Sequence, residues 1–173
     1  MKNVLIWLIA VMMIGCSMAQ KNKTNIIEVR KGGILAQGEP TRDGEQLNVL
    51  IIDLQRMFPE NKTNLWIEFP DNKKITLSAI KMEEVISRST KEWQSPDSTT
   101  QKSFDVGGYL FKFDGNTLIS FSVSKYGRPP TQKVAFTRIG SFSSNASLSL
   151  PCTLSQFEDV FGKADQVKRW FSW

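Results

Sequence analysis

Two Ser-x-x-Lys tetrads, Ser78-Ala79-Ile80-Lys81 and Ser122-Val123-Ser124-Lys125, are spaced like a nucleophile and its base. A lysine can activate a nearby serine hydroxyl, but only where the backbone brings both side chains to one face. Both tetrads fall in strand-like sequence, where positions three apart point to opposite faces, and no K-T-G motif accompanies them. The chain has no histidine, which removes the commonest general base and the commonest zinc ligand together. Carboxylate pairs remain. Glu83 and Glu84 are sequence neighbours, which do not face each other on a helix or a strand. Glu158-Asp159 reads as acid in a helix first turn, where the dipole favours it. A carboxylate-dependent hydrolase of envelope polymers, the alternative reading, would draw on Glu83, Glu84 and Asp105. Nucleophile elbows, P-loops, dinucleotide fingerprints, zincin motifs and EF-hand loops are absent from the sequence. No catalytic residue, metal ligand or cofactor is therefore expected.

The two cysteines carry different information. Cys16 closes an uninterrupted apolar run, Val4 to Ile14, that follows the short basic start Met1-Lys2-Asn3. A span needs about twenty apolar residues to cross the hydrocarbon core, so this run fits the central region of a secretory signal peptide. Met13-Ile14-Gly15-Cys16 resembles a bacterial lipobox, with Met13 where leucine is usual and Cys16 as the lipidated residue. Acyl chains there would hold the protein at a membrane surface, each buried methylene contributing about 0.8 kcal/mol. A competing cut after Ser17-Met18-Ala19 would release a soluble secreted form. The expected organisation is a leader over residues 1–19, a polar tether over 20–25 and one domain over 26–173. Cys152 is then the only thiol of the mature chain and has no intrachain partner. Beside Pro151 it reads as a small buried hydrophobe. Asn22, Asn61 and Asn145 head N-x-[ST] sequons, which are accidental in a bacterial lipoprotein.

The 22 basic and 17 acidic residues give a net charge of +5, and loss of Lys2 with the leader leaves +4. These charges are scattered, with Lys73-Lys74 and Lys168-Arg169 the closest clusters. No basic run interleaves with aromatics, so a nucleic-acid partner is not expected. Trp66 and Trp170 are expected in the core. Trp93, in a polar stretch, and Trp173, at the end of the sequence, are the candidate binding residues, because tryptophan is enriched at interface hot spots.

Several elements must position these residues. Ile26 to Arg30 and Ile34 to Gln37 flank the turn Lys31-Gly32-Gly33, and Gly38-Glu39-Pro40 should break the second strand. Asp43 with Gln46 suggests a capping box for an amphipathic helix through Leu47, Leu50, Ile51, Leu54 and Phe58, ended by Pro59. Leu65 to Phe69 and Ile75 to Leu77 form a hairpin around Pro70-Asp71-Asn72-Lys73. Ser78 to Arg88 is ambiguous and leans to a strand as far as Met82. Ser87 to Ser103 reads as a long exposed loop. Gly108 to Phe113 and Thr117 to Ser124 make the clearest hairpin, with Ile119, Phe121 and Val123 on one face and Leu118, Ser120, Ser122 and Ser124 on the other. Gly127 to Thr131 is a connection, Lys133 to Ile139 a strand, Ser141 to Asn145 a polar turn and Ala146 to Leu150 a strand. Thr153 and Gln156 then box a short helix with Leu154, Phe157, Val160 and Phe161 inward and Gly162 as its stop. Val167 to Trp173 is a last strand.

The two expected helices form an echo: each follows a proline, closes on a phenylalanine, and leads to a tryptophan strand, Trp66 in one case and Trp170 in the other. Thr153-Leu154-Ser155-Gln156-Phe157-Glu158-Asp159-Val160-Phe161-Gly162-Lys163-Ala164-Asp165 resembles the helix of small bacterial envelope modules. These are the SmpA/OmlA-type outer-membrane lipoproteins and the β-lactamase-inhibitor-like repeats, with Ala164 in place of their usual proline. The resemblance implies an α+β fold and a non-catalytic, protein-binding role at the cell envelope.

The expectation is an α+β domain with an antiparallel sheet of about six to eight strands and two main helices packed on one face. It would be a periplasmic lipoprotein that binds another envelope or periplasmic protein, in an immunity, inhibitor or assembly role. A small-ligand or lipid carrier is a further alternative. Replacing Cys16 with alanine should move the protein from the membrane to the soluble fraction on cell fractionation, as should globomycin. Undiminished membrane association of Cys16→Ala would remove the lipid anchor from the account.

Overall fold

A computed structural model describes residues 25–42, 44–69, 72–89, 91–106, 108–124 and 138–170. The leader with Cys16, most of the tether, the Asp43 cap, the 127–131 connection and Trp173 lie outside the described residues, as does most of the expected Lys133 to Ile139 strand.

The chain is mainly antiparallel sheet with a few short helices. Its strands are β1 (Ile26–Lys31), β2 (Ile34–Thr41), β3 (Gly44–Asp53), β4 (Leu65–Glu68), β5 (Lys74–Thr76), β6 (Lys91–Gln94), β7 (Gln101–Val106), β8 (Tyr109–Asp114), β9 (Thr117–Ser124), β10 (Arg138–Ser141), β11 (Ala146–Leu148) and β12 (Gln166–Trp170). The helices are α1 (Pro59–Asn64), α2 (Met82–Ile86) and α3 (Leu154–Phe161), with a 3-10 turn over Leu77–Ala79. An eight-stranded sheet runs β12-β1-β2-β3-β9-β8-β7-β6, and a four-stranded sheet runs β11-β10-β4-β5.

The helix expected over Leu47 to Phe58 is the strand β3. Leu47, Leu50, Ile51 and Leu54 do recur at helical spacing, but Val49 and Ile52 fill the gaps, and such a run fits either period. Its place between β2 and β9 decides it: Leu50 and Ile52 are fully buried while Val49 and Ile51 are half-exposed, the alternation of a strand. Pro59 begins α1 instead of ending a helix, a position where its missing N–H costs nothing. One main helix remains, α3, and the echo between the two halves dissolves.

β2 also continues through Gly38-Glu39-Pro40, with a bulge between Gln37 and Gly38. Pro40 is tolerated because the β1 pairing reaches only to Gly38, opposite Ile27, so among the described residues that stretch pairs with β3 alone. Two further expectations change. Ser78 to Met82 forms the 3-10 turn and the start of α2 rather than a strand. The loop expected over Ser87 to Ser103 holds β6 and the beginning of β7. The hairpins β1–β2 and β8–β9 form as expected, and Gly32 takes a positive φ of 54° in the first turn. Thr153 and Gln156 make the expected capping box: Gln156 N–H donates to Thr153 Oγ1 at 3.2 Å, and Thr153 N–H to Gln156 Oε1 at 2.8 Å.

The core lies between the sheets. Phe104, Phe111, Phe113 and Phe121 line the inner face of the large sheet, and Leu65, Ile67 and Phe69 line that of the small one. The Phe69 and Phe111 rings stack at 6.2 Å, and Phe111 meets Phe121 at 5.0 Å. Phe157 and Val160 of α3 and Val85 of α2 complete the seal. Leu47 and Cys152 exchange backbone hydrogen bonds of 2.7 and 3.0 Å, tying the approach to α3 onto β3.

Trp66 points away from this core, yet it is only 6% exposed. Lys74 Nζ lies 3.8 Å from its ring centre, Phe142 packs at 6.3 Å, and Gly140 lies beneath it. A Cβ on Gly140 would fall 2.5 Å from both the indole Cζ2 and Ala146 O. Gly140→Ala should therefore lower stability by about 1–3 kcal/mol in a urea titration. An unchanged midpoint would contradict this packing.

Candidate functional site

The outer face of the large sheet has no layer over it among the described residues. Pairing register traces one row straight across all its strands: Gln166, Arg30, Leu35, Ile51, Ser122, Leu110, Asp105 and Lys91. Every residue of this row is exposed or half-buried. The face mixes apolar positions (Ile26, Leu35, Val49, Ile51, Leu110) with serines and charges of both signs. Glu28 takes a 2.7 Å hydrogen bond from Arg30, which holds its carboxyl below the usual range.

Trp93 lies two residues along β6 from this row, opposite Ser103, and so on the same face. Trp170 lies opposite Ile26 on β12, also on that face. The two tryptophans thus mark opposite edges of one sheet, about 33 Å apart by seven strand spacings. Trp93 is 41% exposed and Trp170 53%. Each has a lysine two residues earlier over its ring, Lys91 at 5.3 Å and Lys168 at 5.7 Å to the centroid. Trp93 is exposed as expected, though on a strand and not in a loop. Trp170, expected in the core, is at the surface because its register opposite Ile26 turns it to the outer face, and β12 pairs only with β1 among the described residues. The signal that could have found it is the flanking Lys168-Arg169, charges of the kind that edges carry against uncontrolled pairing. Trp66 is buried as expected.

A cleft of about 330 Å³ opens elsewhere, where the β1–β2 turn, the segment before α1, α1 itself and the β10–β11 turn converge. Met57, Ile34 and Leu65 contribute apolar walls, and Phe58 stands at the cleft 68% exposed. Asp165 clamps the β1–β2 turn beside it, accepting from Lys31 Nζ and Gly32 N–H, both at 2.8 Å. Sequence reasoning missed this place, since its lining comes from segments distant in the chain.

No family model, curated protein or solved structure matches this chain.

Three carboxylates considered for catalysis, Glu84, Asp105 and Glu158, have structural engagements, while Glu83 is an exposed residue of α2. Glu84 accepts a 2.6 Å hydrogen bond from Lys73, which holds its carboxyl below the usual range. Asp105 accepts from Gly108 N–H at 2.7 Å in the β7–β8 turn. Glu158 and Asp159 fall past the first turn of α3, and Glu158 accepts from Ala164 N–H at 3.0 Å. Ser78 sits in the 3-10 turn, Ser122 lies on the open sheet face, and Lys125 is outside the described residues. Among the described residues no group of three His, Cys, Asp or Glu could hold a metal ion. No described helix is long and apolar enough to cross a membrane.

Cys152 is 3% exposed, and burial pushes its thiol up from 9.0 to about 11. The folded value lies above the unfolded one, so this contribution to stability is fully present below pH 9 and is lost as pH rises through 11. Between those limits the protein should lose on the order of 2–3 kcal/mol that a Cys152→Ala variant does not lose. Parallel stability curves for the two proteins would contradict the burial.

Proposed function

We propose that this chain is an exported, lipid-anchored envelope protein whose open sheet face binds another protein. The observation that carries the reading is the face of the eight-stranded sheet, uncovered among the described residues, with an exposed tryptophan at each edge. Edge strands offer backbone groups to an incoming strand, and tryptophan supplies large rigid contact area at interface centres. The mixed charges of the face suit an interface with polar contacts and give no single-sign field for a nucleic acid. The leader and the Cys16 lipobox support placement on the periplasmic side of a membrane. The resemblance of the Thr153 to Asp165 segment to envelope lipoprotein modules agrees with that placement. Trp93 is the primary contact, Trp170 joins it, and Trp173 remains a candidate from sequence. An immunity or inhibitor role and an assembly role both fit this surface.

The carboxylate hydrolase has less support, since Glu84 and Asp105 are held in structural hydrogen bonds. Affinity capture from envelope extracts with the full chain in detergent tests the binding reading. Trp93→Ala or Trp170→Ala should reduce capture of a defined partner by about tenfold, with thermal stability preserved because both side chains are exposed. Undiminished capture by both, and by Trp173→Ala, would remove the tryptophan edges from the interface.

A further inference from the structure

We propose that the corner of the large sheet where β1 begins and β12 ends lies on an anionic phospholipid surface. The inference rests on the lipid-anchored reading above and adds to it a second membrane contact, made by the folded domain itself.

Pairing register places this corner. Ile26, the first residue of β1, is the partner of Trp170, the last residue of β12. The chain that leads back to Cys16 and the chain that goes on into Phe171-Ser172-Trp173 therefore join the fold at the same point. Ile26 is ten positions after Cys16, a stretch that spans at most about 35 Å when fully extended. Acyl chains on Cys16 would thus tie the membrane to this corner, whereas the Trp93 edge lies about 33 Å away across the sheet.

The side chains at the corner suit a bilayer surface. Trp170 is 53% exposed and Ile26 38%, and their register puts both on the outer face. Tryptophan concentrates at the headgroup level, where its ring meets acyl carbon and its N–H stays wet. Lys168 Nζ lies 5.7 Å from the centre of the Trp170 ring, so a cation stands beside the aromatic.

Charge selects the lipid. Glu28, opposite Lys168, takes a 2.7 Å salt bridge from Arg30, and Arg169 is bridged to Glu45. Lys168 is the charge those two pairs leave over. The sequence from Ser17 to Asn25 adds Lys21 and Lys23 and has no acidic residue. Cations gathered around a tether favour an anionic leaflet over a neutral one. The Trp93 edge differs in this respect, because Lys91 lies opposite Asp105 and Lys102 is bridged to Glu92. A partner on the open face would then meet Trp170 beside the bilayer and Trp93 away from it.

The test places the full acylated chain, labelled with 5-fluorotryptophan, in bicelles containing phosphatidylglycerol and a lipid with a nitroxide on its head group. Trp170→Phe and Trp93→Phe assign the two fluorine resonances. The Trp170 signal should be lost to paramagnetic broadening while the Trp93 signal survives. In bicelles of phosphatidylcholine alone the broadening should weaken by about fivefold, the effect of one lysine near an anionic surface. Lys168→Glu should weaken it likewise, with the fold of this exposed variant checked by thermal melting. The proposal fails if Trp170 stays sharp in the anionic bicelles, or if Trp93 broadens as much. It fails equally if phosphatidylcholine broadens Trp170 to the same extent, or if Lys168→Glu behaves like the parent. Mass spectrometry of the N-terminal peptide reads the anchor separately. Acylated Cys16 with a sharp Trp170 signal overturns the corner and leaves the anchor standing, whereas unacylated Cys16 overturns both.

Discussion

The contact between the two sheets is the constraint on which everything else in this chain depends. Phe104, Phe111, Phe113 and Phe121 commit one face of the large sheet to the interior. Each such ring contributes about 1.5–3 kcal/mol on burial, so together they fix which way every strand faces. Because a strand alternates strictly, the same commitment sends Leu35, Ile51, Leu110, Trp93 and Trp170 outward. The small sheet and α3 are too few to cover both sides. Among the described residues one face is sealed and the other has no layer over it, and the exposed edge tryptophans follow from that asymmetry.

Local pattern carried the parts of this fold that local chemistry decides. The turn at Gly32, the β8–β9 hairpin and the Thr153–Gln156 cap were legible because short-range geometry selects those residues. β3 was not legible, because Leu47 to Leu54 satisfies a helical and an alternating period alike, and its two neighbouring strands made the choice. β6 was hidden for a different reason. Lys91-Glu92-Trp93-Gln94 is an edge strand written in polar residues, so its sequence looks like the loop that edges are made to resemble. The candidate surface was half-legible: Trp93 stood out by its polar surroundings, while Trp170 was assigned to the core on its type alone. No sequence signal marks the cleft, which only the folding of β1, β2, α1 and β10 brings together.

The chemistry absent from the sequence shapes the proposed function as much as the surface does. The sequence has no histidine, and Glu84 and Asp105 accept hydrogen bonds from Lys73 and from Gly108 N–H. What the described side chains offer is area: a broad amphipathic face with an exposed tryptophan at each edge. Such a face suits recognition of another protein. The proposed lipid on Cys16 would add confinement at a membrane surface, which raises the local concentration of any envelope partner.

The most direct measurement is photo-crosslinking in living cells with benzoylphenylalanine placed singly at Trp93 and Leu110 on the open face, and at the exposed Glu83 on α2 as a control. The account predicts a discrete crosslinked partner from positions 93 and 110, and none from position 83. Adducts from position 83 alone, or none from either sheet position, would contradict the assignment of the open sheet face as the binding surface.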